Sequence, residues 1–236
     1  MQTTGHTVKA FDEELDQLRS LIVEMGGLAQ GAISEAMRCL VERDLEGARR
    51  VVEADRRLDS LEAEADRRVI QLIALRAPLA DDLREIIAAL KIAGIIERIG
   101  DYAKNIAKRV KMLESKGEIE PLSLLPEMGR ITAEMVGEVL EAFVERDSAK
   151  ARRVCERDAL VDDFYDSIFR ALLTFMIENP RNITQSAHLL FVAKHLERIG
   201  DHATNIGEMV HYAATGEWLP ERGHDGDKRS AAATPA

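Results

Sequence analysis

Glu97 and Asp101 stand four residues apart, and one hundred residues later Glu197 and Asp201 do the same, each pair inside the pentapeptide ERIGD. On a helix that spacing projects both carboxylates from one face, with Cβ atoms about 5–6 Å apart, and Asn105 or Asn205 extends each row by another turn. Two further acid pairs share the pattern: Asp55 and Asp59 in DRRLD, and Asp158 and Asp162 in DALVD, related by a shift of 103. Like charges so placed repel weakly, so the arrangement does not help a helix unless a cation sits among them. If the helices bearing the two pairs of each half lie antiparallel and adjacent, four carboxylates meet around one point. Oxygen-only donor sets of that kind suit Mg, Ca, Mn or iron rather than a thiolate-preferring metal.

A plainer reading competes. Acids at i and i+4 are common on solvated helix faces, and for Asp55 and Asp59 alone that is the simpler account. Comparing the two copies tells against it, because Lys104 and Lys108 become Thr204 and Glu208 while both acids and the Asn persist. Gly100 and Gly200 lie between the acids, where a helix-interior Gly costs about 1 kcal/mol relative to Ala. A neighbouring helix or an ion at close range explains that placement, and helix packing alone explains it equally. The acids are expected to face outward from the apolar stripe. A helical scaffold whose acids merely shape an interaction face stays open.

Other chemistries find little support. The chain has no Gly-rich phosphate loop, nucleophile elbow or zinc-protease motif. Di-iron bundles use Glu-x-x-His pairs, whereas the third residue after Glu97 is Gly100 and after Glu197 is Gly200. His188, His195 and His202 recur every seven residues, but Ala88, Ile95 and Tyr102 replace them in the first copy, so they read as bundle residues rather than ligands. Cys39 and Cys155 read as small buried hydrophobes. Asn182-Ile183-Thr184 reads as a helix start, not a glycosylation acceptor.

The elements that must hold these rows are helices. VERDLEGARRV at 41–51 aligns with VERDSAKARRV at 144–154, so the duplication spans two homologous halves. Ile92, Ile96, Ile99, Ala103, Ile106, Val110 and Leu113 form one stripe at helical spacing. Breaks fall at Arg43-Asp44 and Arg146-Asp147, with Asp44 and Asp147 suited to cap the next helix, and at the prolines of 77–81 and 179–182. Met25-Gly26 and Met128-Gly129 read as close helix contacts. The expected fold is all-α, six long helices in two tandem, internally homologous three-helix bundles: 1–117, 118–215, and a disordered tail at 216–236, with a linker around Lys116, Gly117 and Pro121.

Composition agrees, with 46% hydrophobic and 31% charged residues but only 4% aromatic. A net charge of -10 argues against broad nucleic-acid binding. No apolar run approaches the roughly 18–20 residues that span a bilayer, and the N-terminal MQTTGHTVKAFDEE lacks a signal core, so a cytoplasmic location without a membrane span is expected.

DRRLDSLE, APLADDLREIIAALKIAGIIERIGDYAKNIAK, DALVDDFY and FVAKHLERIGDHATNIGE together resemble the PhoU family, accessory proteins of phosphate-specific transport, from about residue 7 to 215. The resemblance implies the two-bundle fold and metal clusters on Glu/Asp-xxx-Asp motifs. It assigns Asp55, Asp59, Glu97 and Asp101 to one site and Asp158, Asp162, Glu197 and Asp201 to the other, holding iron, Mg, Mn or Zn through carboxylates. Glu62 is a further candidate ligand whose counterpart is Tyr165, and Arg84 aligns with Thr184. The resemblance further implies a non-enzymatic negative regulator of phosphate uptake and of the phosphate-starvation response. Its implied partners are the ATPase subunit of a phosphate ABC transporter, a membrane sensor histidine kinase and a second copy in a homodimer. The alternative is a carboxylate-bridged metal-storage or oxidase bundle.

Overall fold

A computed structural model describes residues 3–113 and 123–219. Six α-helices run through them: α1 Thr3–Glu42, α2 Leu45–Arg76, α3 Ala80–Val110, α4 Leu125–Glu145, α5 Ser148–Glu178 and α6 Ile183–Thr215. No strand occurs among the described residues. The linker expected at 116–121, the boundary at 117/118 and the tail beyond 219 lie outside the described residues.

The turns form where the sequence places its cap residues. α1 ends in a left-handed Arg43 (φ 57°), and the Asp44 amide returns to the Cys39 carbonyl at 3.0 Å, closing the last turn. Asp44 then caps α2 by accepting from the Gly47 amide at 2.8 Å. The second half repeats the device with Arg146 (φ 53°) and with Asp147, which accepts from the amides of Ala149 and Lys150 at 2.9 Å. Between α5 and α6, Pro180–Asn182 forms a single 3-10 turn, because Pro cannot continue the helix before it.

Each half is a three-helix bundle, but the halves are not separate. α2 packs on α1 and α3, α5 packs on α4 and α6, and the halves join through α1 against α4 and α3 against α6. The buried apolar residues of both halves accordingly form one continuous core, running from Leu18 and Ile22 through Ile96 and Ile99 to Val136, Leu196 and Ile199. The α1–α4 seam depends on the matched glycines. A Cβ on Gly26 would run into Leu140, and one on Gly129 would meet Met37 Cγ at 2.7 Å, where 37 and 140 are themselves related by 103. Cys39 and Cys155 are buried and unbonded to each other.

Glu85, only 4% exposed, ties the halves across the core. It accepts from Arg19 of α1 at 2.5 Å and pairs with Arg146 at the end of α4. After α6, Gly216 takes a left-handed conformation (φ 78°), and Trp218 folds back to stack on Tyr212 at 4.4 Å. The described residues 216–219 thus pack on α6, within the segment expected to be tail.

Candidate metal centre

α2 and α3 run antiparallel, and the register brings the two acid rows of the first half face to face. Gly100 makes the close approach possible: a Cβ there would meet Leu58 of α2, and Asp55 Oδ1 lies 3.6 Å from that Cβ position. α5 and α6 repeat the geometry more tightly, with Asp158 Oδ1 only 2.8 Å from where a Gly200 Cβ would stand. Asp55 and Asp158 are 8% and 6% exposed. They do not face outward from the apolar stripe; each occupies a slot in it, Asp55 between Val51 and Leu58 and Asp158 between Val154 and Val161, all buried. Asp59, Asp162 and Asp201 are exposed, and Glu97, Glu197 and Asp101 are intermediate.

A lysine is seated in each row. Lys104 donates to Asp55 Oδ2 at 2.5 Å and also to Asp101. Burial works against its charge, but those two carboxylates hold it above the ordinary lysine range. In the second half Thr204 replaces it and turns its hydroxyl to the Asp201 carbonyl at 2.7 Å. There, Lys194 donates to Glu197 Oε1 at 2.5 Å, while Glu197 Oε2 is buried with no hydrogen-bond partner.

Elsewhere in the first row the charges are poorly compensated. Glu97 is pushed above the usual carboxylate range by burial, then by Asp101, Glu62, Asp59 and Asp55. Glu62 is raised by burial, then by Asp66 and Asp59, with Arg98 opposing. Three features suit a held cation: the oxygen donor set, the ammonium already standing between Asp55 and Asp101, and the orphaned oxygen of Glu197. As the side chains stand, no three Asp, Glu, His or Cys donors form a ligating group among the described residues. Neither asparagine joins its row, since Asn105 accepts from Lys108 at 3.4 Å and Asn205 faces His202 at 3.5 Å.

The arginine of the second ERIGD copy, Arg198, points elsewhere, to the antiparallel α3–α6 seam. Arg198 lies over the Tyr102 ring at 5.8 Å, and Tyr102 stacks on His202 at 5.4 Å and contacts His195 at 5.6 Å. Farther along, Arg109 bonds His188 Nδ1 at 3.1 Å and lies over Phe191 at 4.5 Å. Burial, then Arg109 and Arg198, pushes His195 down to about 4; burial, Arg98 and Arg198 lower His202. In the second copy the pentapeptide therefore serves two faces, its acids on the α5 side and its arginine over Tyr102 of the first copy. The spacing of the acids does not reveal this, although Arg98 and Arg198 persist in both copies as the acids do.

The halves also differ between their first two helices. A groove of about 310 Å³ opens between α1 and α2, lined by Gly27, Leu28, Gly31, Ala32, Ala54 and Asp55 among others. In the second half Ala54 is replaced by Arg157, which bonds Glu134 at 2.5 Å and Glu138 at 2.6 Å and spans the corresponding space between α4 and α5.

Comparison with known proteins decides the family. The PhoU domain matches twice, at residues 22–110 and 125–210. The chain belongs to the PhoU family. Similar PhoU-family relatives include the phosphate-specific transport system accessory protein PhoU homolog of Zymomonas mobilis, 55% identical over 218 residues and 92% of each chain. That of Caulobacter vibrioides is 46% identical over 220 residues, covering 92% of this chain and 94% of the relative. Among solved structures, PhoU from Pseudomonas aeruginosa matches with a TM-score of 0.84 at 36% identity, over 88% of this chain and all of that one. The phosphate transport system regulatory protein PhoU from Streptococcus pneumoniae matches with a TM-score of 0.84 at 28% identity, over 89% and 100%. The all-α fold and its doubled PhoU unit are thereby established. No helix of the described residues is long and apolar enough to cross a membrane.

Proposed function

We propose that this chain is a non-enzymatic regulatory adaptor of phosphate transport, whose two carboxylate rows hold metal ions for structure or signalling. Asp55, Asp59, Glu97 and Asp101 hold one site, and Asp158, Asp162, Glu197 and Asp201 the other. Iron, Mg, Mn or Zn would supply positive charge between facing helices and so lock α2 to α3 and α5 to α6. The observation that carries the reading is the meeting of buried Asp55 with Gly100 and of buried Asp158 with Gly200, twice in one chain, on a fold shared with phosphate-transport accessory proteins. The chain's own residues orient the oxygens: the glycines admit the aspartates, and the apolar stripes on either side exclude water from one flank of each row.

In this reading the protein works in the cytoplasm as a homodimer beside the membrane. It links the ATPase subunit of a phosphate ABC transporter to a membrane sensor histidine kinase and represses phosphate uptake and the starvation response when phosphate is plentiful. Deleting the gene should derepress phosphate uptake and alkaline phosphatase at high phosphate; repression that persists would refute the regulatory role. Asp101→Asn combined with Asp201→Asn should lower the metal content of purified protein with helicity retained. Unchanged metal content removes these residues from the site. Oxygen consumption on adding ferrous iron would instead support the metal-oxidase alternative.

A further inference from the structure

One turn beyond Lys104, the α2–α3 seam opens into a groove of about 300 Å³ whose lining includes none of the acids of the row. Its floor is apolar, made of Leu45, Ala48 and Val52 of α2 and Ala107 of α3. The second half shows that the fold itself does not require this opening. There Gly207 stands for Ala107 and Cys155 for Val52. A Cβ on Gly207 would lie 2.7 Å from Cys155 Sγ and 3.1 Å from the Ala151 carbonyl oxygen, so α5 and α6 touch. Cys155 closes that contact by donating to the Thr204 carbonyl at 3.5 Å. The rim has diverged together with the floor: Lys108 and Lys111 of the first half correspond to Glu208 and His211 of the second.

Charge is unbalanced at this rim. Lys108 lies in the last turn of α3 and Lys111 in the 3-10 turn that follows, and at a spacing of three the two side chains share one side. Lys108 donates to Asn105 Oδ1 at 3.4 Å, and among the described residues neither lysine forms an ion pair with a carboxylate. Arg49 is engaged by Glu46 at 2.5 Å and Glu53 stands on the same rim, so the surplus positive charge rests with the two lysines. Basic residues in a last turn also complement the helix dipole, but that role needs no groove. Two uncompensated ammonium groups above an apolar floor, in a chain of net charge -10, match a molecule anionic at one end and apolar at the other. We propose that the α2–α3 groove binds an anionic amphiphile, its apolar body on Leu45, Ala48, Val52 and Ala107 and its carboxylate or phosphate head on Lys108 and Lys111. At roughly 30 Å³ for each water-sized group, the groove holds about ten of them, the size of a medium-length acyl or aromatic body. Such a head and body come either from a free amphiphile or from a lipid at a bilayer surface. The inference is independent of the metal reading above.

The test titrates the full-length chain by calorimetry with decanoate and decyl phosphate below their micelle-forming concentrations, with decanol and inorganic phosphate as probes that carry only the body or only the charge. Decanoate or decyl phosphate should saturate wild type, and decanol and inorganic phosphate should bind about tenfold more weakly or less. Lys108→Glu combined with Lys111→His installs the residues of the second half at two exposed positions and should weaken binding by about tenfold with helicity retained. Val52→Phe fills the groove without changing its charge and should weaken binding as well; Leu45→Ser, again the residue of the second half, replaces it should the phenylalanine disturb folding. Vesicles separate the two sources. Co-sedimentation with phosphatidylglycerol vesicles that both variants abolish, and that phosphatidylcholine vesicles do not reproduce, assigns the head to a bilayer lipid; saturable decanoate binding without co-sedimentation assigns a free amphiphile. Binding that either variant leaves unchanged, decanol binding as tight as decanoate binding, or no binding of any probe overturns the inference.

Discussion

The glycines show how one residue type takes opposite roles in these helices. Gly100 is pressed by Leu58, whereas Gly27 has nothing within 4 Å of where a Cβ would stand. Gly27→Ala should therefore stabilise by about 0.5–1 kcal/mol through helix propensity alone. Gly100→Ala must push a buried leucine aside and should lose about 1–3 kcal/mol to overpacking, partly offset by that same propensity. Thermal melts of the two variants should move in opposite directions. His195 provides a prediction in pH. Its folded value of about 4 lies below the ordinary histidine value, so the unfolded chain binds the extra proton first. Stability from neutral His195 is intact above about pH 6.5 and is lost as pH falls toward 4. Glu62 and Glu97 act with the opposite sign, because their raised values favour the folded state on acidification. His195→Phe should flatten the acid-side loss relative to wild type, measured by urea denaturation between pH 7 and 4. The acid rows were legible in the sequence because they are repeated. The burial of Asp55 was not, though the signal existed: Asp55 follows Val51 by four residues and precedes Leu58 by three, an apolar-stripe slot that its i, i+4 pairing with Asp59 disguises.

At the level of elements, caps explain why the breaks could be read so closely. Asp147 accepts two backbone amides, and those bonds hold its carboxyl below the usual range. Asp147→Ala should lower stability at neutral pH, as loss of a helix cap does, and the difference from wild type should vanish as pH falls through the depressed Asp147 value. Guanidinium titrations at pH 7 and in acid would check both statements. Helix lengths and order followed from periodicity and prolines, since both are local. The seams did not follow. Which face of α3 meets α2 and which meets α6 is set by pairs distant in sequence, such as Asp55 with Lys104 and Tyr102 with His202, and a single stripe of isoleucines fits either arrangement. The Glu85 bridge was also hidden, because Gln185 occupies the repeated position and comparison of the copies passes over it.

Across the whole molecule, the repeat suggests two domains and the packing makes one cooperative body. α1 with α4 and α3 with α6 bury residues of both halves in a single core. Calorimetry of the full chain should show one transition with equal calorimetric and van't Hoff enthalpies; two resolved transitions would mean the halves melt independently. A fragment of residues 1–117 should bind hydrophobic dye and aggregate, because the faces of α1 and α3 that meet the other half would be left in water. Duplication followed by divergence also left the halves with different ionic links between their first and second helices. Where Arg157 clamps the outer helix of one half with two carboxylates, its counterpart in the other half is a methyl group beside bare backbone. The outer helix of each half is therefore fastened to its first helix at different heights, by Arg57 and Arg76 on α2 and by Arg157 on α5, so the repeat holds in the backbone and not in its ionic fastenings.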